Sequence, residues 1–188
     1  MPRPPKPPAV DERLTLPNGR QLWVRPIDPR DAEPLRAGFS LLRADEIRQR
    51  FLYALTELTP AMAHRLTHID PARECAIVAA EPAPPGQALV GAVVRAALDD
   101  EDPHSAEFAI LVSHFIAGMG VGRRLMGHML DWARARGVRR MHGDVLEHNA
   151  TMLGLATSLG FRREVVPDAQ GLIRVALDLP PRKARRRG

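Results

Sequence analysis

Apolar positions in this chain change their spacing part-way along. After a turn marked by Pro17-Asn18-Gly19, Gln21 to Ile27 reads as a strand. Asp28-Pro29-Arg30-Asp31 opens a helix to about Arg43, with Asp28 or Asp31 as its cap. A second helical stretch covers about Asp45 to Leu55. Thr59 as N-cap and Pro60 as first helical residue start a third, which ends near Asp70-Pro71. The pattern then turns to short apolar runs. Glu74–Glu81, Ala88–Leu98 and Ala106–Val112 read as strands, separated by a Pro/Gly turn and the acidic loop Asp99–His104.

A glycine-rich turn, His114 to Gly122, leads into a strong helix from about Gly120 to Arg136. Val121, Leu125, Met129 and Ala133 recur at helical spacing, with Met126 and Leu130 widening the stripe. Arg123, Arg124, Asp131 and Arg134 lie opposite, and Gly137 ends the helix. Val138–Leu146 is a strand, and Asn149 caps a short helix to Leu159, stopped by Gly160. Phe161–Val166 and Leu172–Leu179 close the chain as a hairpin. The predicted class is α+β, or mixed α/β: a mixed sheet of about six to seven strands flanked by helices. Both strand–helix–strand passages in the second half call for parallel neighbours.

Composition changes this picture little. The 188 residues suit one domain, expected over residues 13–180 between a Pro-rich tail (1–12) and a basic tail (181–188). The first nine residues carry two basic groups and the last seven carry five. The overall charge of +5 therefore leaves −2 for the body between them. The body gives no basis for specific nucleic-acid binding. Cys75, the single cysteine, lies in an apolar run and reads as an inert buried thiol; a disulfide framework and a multi-cysteine metal site are excluded. No apolar stretch reaches membrane-spanning length, and the N-terminus lacks a signal-peptide apolar core. A cytoplasmic protein with no membrane partner is expected. The only lysines are Lys6 and Lys183, both in the tails.

The most informative segment is EFAILVSHFIAGMGVGRR, Glu107 to Arg124. A strand runs into Gly118, Gly120 and Gly122, which open a helix. Alternating glycines let the backbone turn its N–H groups inward, and the helix N-terminus adds its dipole. Arg123 and Arg124 oppose that dipole, so a bound anion relieves a local cost. The spacing fits neither the dinucleotide G-x-G-x-x-G nor the P-loop pattern.

This turn resembles motif A of the GNAT superfamily of N-acetyltransferases, [QR]-x-x-G-x-[GA] after a strand. Gly120 and Gly122 fill the small positions, and Ala117 stands where Gln or Arg is usual. Downstream, an Asn opening a short helix that ends in Leu-Gly-Phe resembles motif B, filled by Asn149 and Leu159-Gly160-Phe161. RPIDPRDAEPLRAGFSLL, RQRFLYALTELTPAMAHRLTHID, ECAIVAAE, AEFAILV and GDVLEHNATML together are similar to the GNAT domain of bacterial Pat-type protein lysine acetyltransferases. The likeness runs from about Leu22 to Phe161. Relatives often carry a fused regulatory or acyl-CoA-synthetase-like domain; this sequence shows nothing of that kind, and a stand-alone form is expected.

The resemblance implies acetyl-CoA as co-substrate, no metal, and a primary amine as acceptor, a protein lysine in the Pat branch. The cofactor side would comprise Leu111, Val112, Gly118, Met119, Gly120, Val121, Gly122, Arg123 and Asn149, with an oxyanion held by a backbone N–H near Leu111 or Val112. A lysine amine, with a pKa near 10.4, needs a base. Glu107, in the strand leading to the turn, is the candidate catalytic residue, and partial burial would raise its pKa toward a useful value. Ala156 stands where many GNAT enzymes place a tyrosine acid, which leaves water or Ser158 to protonate the thiolate. His64 and His68, at i and i+4, lack the glutamate of a zinc-hydrolase motif. His142, Asp144 and His148 read as structural or near the substrate channel. Arg50-Phe51 resembles an Arg-Phe lining the family's acceptor side. Two alternatives stay open, a non-catalytic acyl-CoA-binding regulatory module and an acetyltransferase of small amines. Monomer and dimer are both compatible with the sequence.

Overall fold

The computed structural model describes residues 10–180. The stretches 1–9 and 181–188, which hold most of the two expected tails, lie outside the described residues. Eight strands form one sheet in the order β1-β2-β3-β4-β5-β6-β8-β7. They are β1 (Glu12–Thr15), β2 (Gln21–Pro26), β3 (Glu74–Ala80), β4 (Val90–Leu98), β5 (Ser105–Val112), β6 (Arg140–Leu146), β7 (Arg162–Val165) and β8 (Leu172–Asp178). Five α-helices accompany them: α1 (Ala32–Phe39), α2 (Ala44–Phe51), α3 (Pro60–Thr67), α4 (Val121–Arg136) and α5 (Ala150–Ser158).

The strand beyond the expected six or seven is β1. Its sequence, ERLT, is polar and only alternately half-buried, so no apolar run announces it. It pairs with β2 across the Pro17–Gly19 turn, and Val10 just before it is buried. The helix expected from about residue 28 to Arg43 is shorter. Asp28 caps a 3-10 turn, Pro29–Asp31, through a capping box with Asp31, and α1 follows only to Phe39. The stretch expected to be helical to Leu55 stops at Leu52, whose φ of +64° lies in the left-handed region.

The core has two sides. The apolar stripe of α4 packs with Leu153 and Ala156 of α5 against Val24, Ile77, Ala79, Val94 and Phe108 on one sheet face. Helices α1–α3 cover the other face through Ile27, Val78 and Val90 and through a small cluster around Phe39, Ile47, Leu58 and Ala63. Arg25 on β2 reaches Asp31 with two hydrogen bonds, 2.7 and 2.8 Å, and Asp31 has no exposed area. This buried pair joins the start of the helical layer to the sheet.

Of the two parallel neighbours expected, one is present. β5 and β6 are parallel, joined through α4. β7 also runs in the direction of β6, but β8 lies between them, antiparallel to both. The chain passes beyond the sheet edge and returns inside it, so α5 is not a crossover between adjacent strands.

Candidate active site

A fork in the sheet creates the site. β5 and β6 pair at only three positions, Ser105↔Arg140, Ala106↔Met141 and Glu107↔His142. Beyond them β5 continues to Val112 and β6 to Leu146 without pairing. Gly143 stands where they part. A Cβ there would sit 2.9 Å from both the Phe108 carbonyl oxygen and its ring, so only glycine lets β6 pass. The gap opens into a cleft of about 600 Å³ walled by β5, β6, the loop before α4, the start of α5, and α2.

Backbone alternation decides which amides face the gap. Ser113 N–H donates to Gly91 O, and Asp99 N–H donates to Ser105 O, both 2.9 Å, in the same antiparallel register that joins β4 to β5. Odd-numbered β5 residues are therefore turned toward β4, and the amides of Phe108, Ile110 and Val112 face the opened side. Of the two positions expected to hold an oxyanion, Val112 qualifies. Leu111 does not, because its main chain is committed to β4; it contributes its side chain to the cleft wall.

One end of the cleft is an uncapped helix start. Gly118 and Gly120 have φ of +74° and +84°, and no side chain caps α4. The N–H groups of Val121, Gly122 and Arg123 fall in the first turn, where a helix offers them no internal acceptor. The dipole adds partial positive charge at the same point. A Cβ on Gly122 would lie 3.3 Å from Leu155 Cδ2, so its smallness brings α4 close to α5. These residues suit the phosphates and extended arm of an acyl-CoA. Of the residues expected on the cofactor side, Gly118, Gly120, Gly122, Arg123, Val112, Leu111 and Asn149 line the cleft. Met119 and Val121 do not. Both pack into the core, Val121 almost completely, so only their main chains are available. Asn149 Oδ1 accepts the Met152 N–H at 3.1 Å, which makes it a helix cap in the cleft wall. Arg123 is also engaged, donating to Ser158 Oγ at 2.6 Å. Arg124, expected to add charge to the turn, points elsewhere and pairs with Glu12 of β1.

Glu107 occupies the last paired register of the fork, on the sheet face opposite α4. It is exposed, so the partial burial expected from its apolar neighbours is absent. The reason is local: Ala97 on β4 is too small to cover it, and the gap begins beside it. Arg50 of α2 reaches into the cleft from that side. Burial lowers its pKa to about 10, with the positive charge of Arg95 adding to the effect and Glu107 opposing it. Among the described residues Arg50 has no hydrogen-bonded or ion-paired partner; its guanidinium lies over the Phe51 ring. Asp144 lines the cleft and accepts two hydrogen bonds from Arg174, at 2.8 and 2.9 Å. His148 is exposed on the β6–α5 loop, and His64 and His68 stack on α3, away from the cleft. The α5 positions that face the cleft are Thr151, Met152 and Leu155. Ala156 is sealed in the core, so a tyrosine at that position would meet packed side chains instead of the gap.

Sequence reasoning missed one feature. Glu46 on α2 accepts the His114 N–H at 2.6 Å, and its other oxygen lies 2.8 Å from His114 Nδ1. It also accepts the Arg43 N–H. This clamp ties α2 to the end of β5 across the cleft mouth. An acid in a helical first turn signals at most a local cap, so nothing near Glu46 in sequence points to His114, 68 positions away. Among the described residues, no helix is long and apolar enough to cross a membrane, and no cluster of three His, Cys, Asp or Glu is arranged for a metal ion.

Residues 40–161 match the acetyltransferase (GNAT) family. An acetyltransferase of Pseudomonas aeruginosa, PA5475, is 31% identical over 165 residues, covering 87% of this chain and 88% of that protein. The GNAT domain of S. lividans PAT superposes with a TM-score of 0.80 at 27% identity, covering 93% of this chain and all of that one. A GCN5-related N-acetyltransferase from Kribbella flavida gives 0.66 at 28% identity, covering 84% and 98%. The forked sheet, the uncapped glycine turn and these likenesses agree: the chain belongs to the GNAT family of acetyltransferases and is an acyltransferase.

Proposed function

We propose that the protein transfers the acetyl group of acetyl-CoA to a primary amine, a lysine side chain of a protein, with Glu107 as general base. The observation that carries this reading is the fork itself. It has an uncapped helix start at one end, free β5 amides along its length, and a carboxylate at its apex on the face away from α4. The likeness to the GNAT domain of S. lividans PAT supports the lysine acceptor. The absence of lysine between Lys6 and Lys183 is consistent with an enzyme that spares its own body.

In this mechanism the N–H groups of Gly118–Arg123 and the dipole of α4 hold the pyrophosphate. The Val112 amide polarises the thioester carbonyl and receives the developing oxyanion. Glu107 takes a proton from the acceptor ammonium. The freed nitrogen attacks the acetyl carbon and the C–N bond forms; as the tetrahedral intermediate collapses the C–S bond breaks, its electron pair leaves on sulfur, and the second nitrogen proton passes through water to the thiolate. A thiol has a pKa of about 8.5, so the thiolate leaves without a dedicated acid. That fits a cleft whose α5 wall offers no hydroxyl besides Thr151. The acceptor is met in the cytoplasm on this reading.

The test supplies acetyl-CoA with a lysine-containing peptide or with a small diamine, and follows thiol release and peptide mass. Nε-acetylated peptide should form with the higher kcat/KM. Turnover of the diamine alone would overturn the lysine acceptor.

A further inference from the structure

His142 is the neighbour of Glu107 across the last paired register of the fork, and both side chains lie on the sheet face opposite α4. Adjacent strands are about 5 Å apart, so the two side chains stand next to each other. The His142 ring is held from one end: Nε2 lies 2.9 Å from Asp99 Oδ2. A carboxylate only accepts, so Nε2 carries the hydrogen and Nδ1 presents a lone pair. That Nδ1 is buried and has no hydrogen-bond partner among the described residues. Buried polar atoms in folded proteins are almost always paired, and an orphan beside a reacting group asks for a role.

We propose that His142 is a positioning and relay residue: it accepts at Nδ1 the proton that Glu107 removes from the acceptor, while Asp99 holds the resulting imidazolium. This rests on Glu107 being the base. Glu107 is open to solvent in the free protein, but an acceptor over the fork covers it. The proton's way out then runs sideways, through His142 to Asp99, whose side chain is 31% exposed. Asp99 is suited to the end of that path. Burial alone would raise its pKa, yet hydrogen bonds from Ser105 and His142 and the charge of Arg174 turn the net shift downward and keep it ionised. Two protons leave the acceptor nitrogen. The first resides on Glu107, passes to His142 and reaches water; the second is lost as the tetrahedral intermediate collapses and protonates the departing thiolate, and no oxidant or further reactant is involved.

Other charges face the ring. Arg140 and Asp144 precede and follow His142 on its own side of β6, and Arg174 and Asp178 flank Ala176 on β8. Asp144 is occupied by Arg174, Asp178 by Arg162, and Arg140 by Glu164. Glu107 and Asp99 are the carboxylates left to act on His142.

Two readouts test the proposal. The first needs no acceptor: the His142 imidazole is followed by NMR through a pH titration, its signal assigned by its loss in His142→Gln. In Glu107→Gln its midpoint should fall measurably, because the charge of the neighbouring carboxylate has been removed. Long-range nitrogen correlations should show the Nε2–H form. An unmoved midpoint would overturn the proposal. The second is kinetic, with the lysine peptide as acceptor. In His142→Gln, which can still bond to Asp99, kcat should fall about tenfold near neutral pH with an unchanged KM for acetyl-CoA. The deficit should narrow toward pH 10 as the acceptor loses its proton unaided. A deficit equal at all pH values, or none, would overturn the relay while leaving Glu107 as base. Full activity in Glu107→Gln would overturn both.

Discussion

Gly120 shows how one residue serves the cleft. Its φ of +84° turns the chain from the loop into α4, and no other atom lies within 4 Å of where a Cβ would stand. Space is therefore not the constraint; backbone conformation is. A β-branched residue in the left-handed region is strained by about 1–2 kcal/mol, and relaxing it re-aims the first N–H groups of α4. Gly120→Val should remain folded and bind acetyl-CoA about tenfold more weakly or worse by calorimetry. An unchanged affinity would show that these amides do not carry the phosphates. Cys75, expected to be buried, is half-buried; desolvation pushes its thiol up to about 12, with the charges of Arg136 and Arg95 opposing.

Among the elements, the start of the helical layer depends most on charge. Asp28 accepts hydrogen bonds from the Arg30 main chain and guanidinium, at 2.8 to 2.9 Å. The Arg30 hydrogen bond is the largest influence on its carboxyl and holds it at about 2, below the ordinary 3.8, with burial opposing. A depressed carboxylate stabilises the fold above its unfolded value and loses that contribution as pH falls through the folded one. Asp28→Asn keeps a capping side chain but removes the charge. Its unfolding free energy from urea titration should converge on the wild type's as pH falls through 2 and lie below it at pH 5, by an amount of order 1 kcal/mol after screening. Caps of this kind were legible in the sequence. Asp28, Thr59, Asn149 and Gly137 act on backbone within a turn of themselves, so residue type and position suffice. The stop of α2 at Leu52 was not legible, because leucine carries no signal for a left-handed conformation. The polar strand β1 was equally hidden, since it gains its place from pairing with β2.

At the scale of the whole molecule, the residues of the cofactor side were readable because one continuous segment, Glu107–Arg124, carries most of them. The acceptor side was less readable. It is assembled from α2, β5, β6 and the β4–β5 loop, and its contacts join residues such as Glu46 and His114, 68 positions apart. The place of β8 between β6 and β7 was hidden for the same reason. Local pattern identifies strands but not which edge they fill. The exposure of Glu107 also follows from the fork and not from its flanking alanine and phenylalanine. Turnover and binding in Glu107→Gln test the central claim most directly. The account predicts a kcat for acetyl transfer lower by about 100-fold or more, with acetyl-CoA affinity within about twofold of the wild type. An undiminished kcat would contradict the assignment of Glu107 as the base.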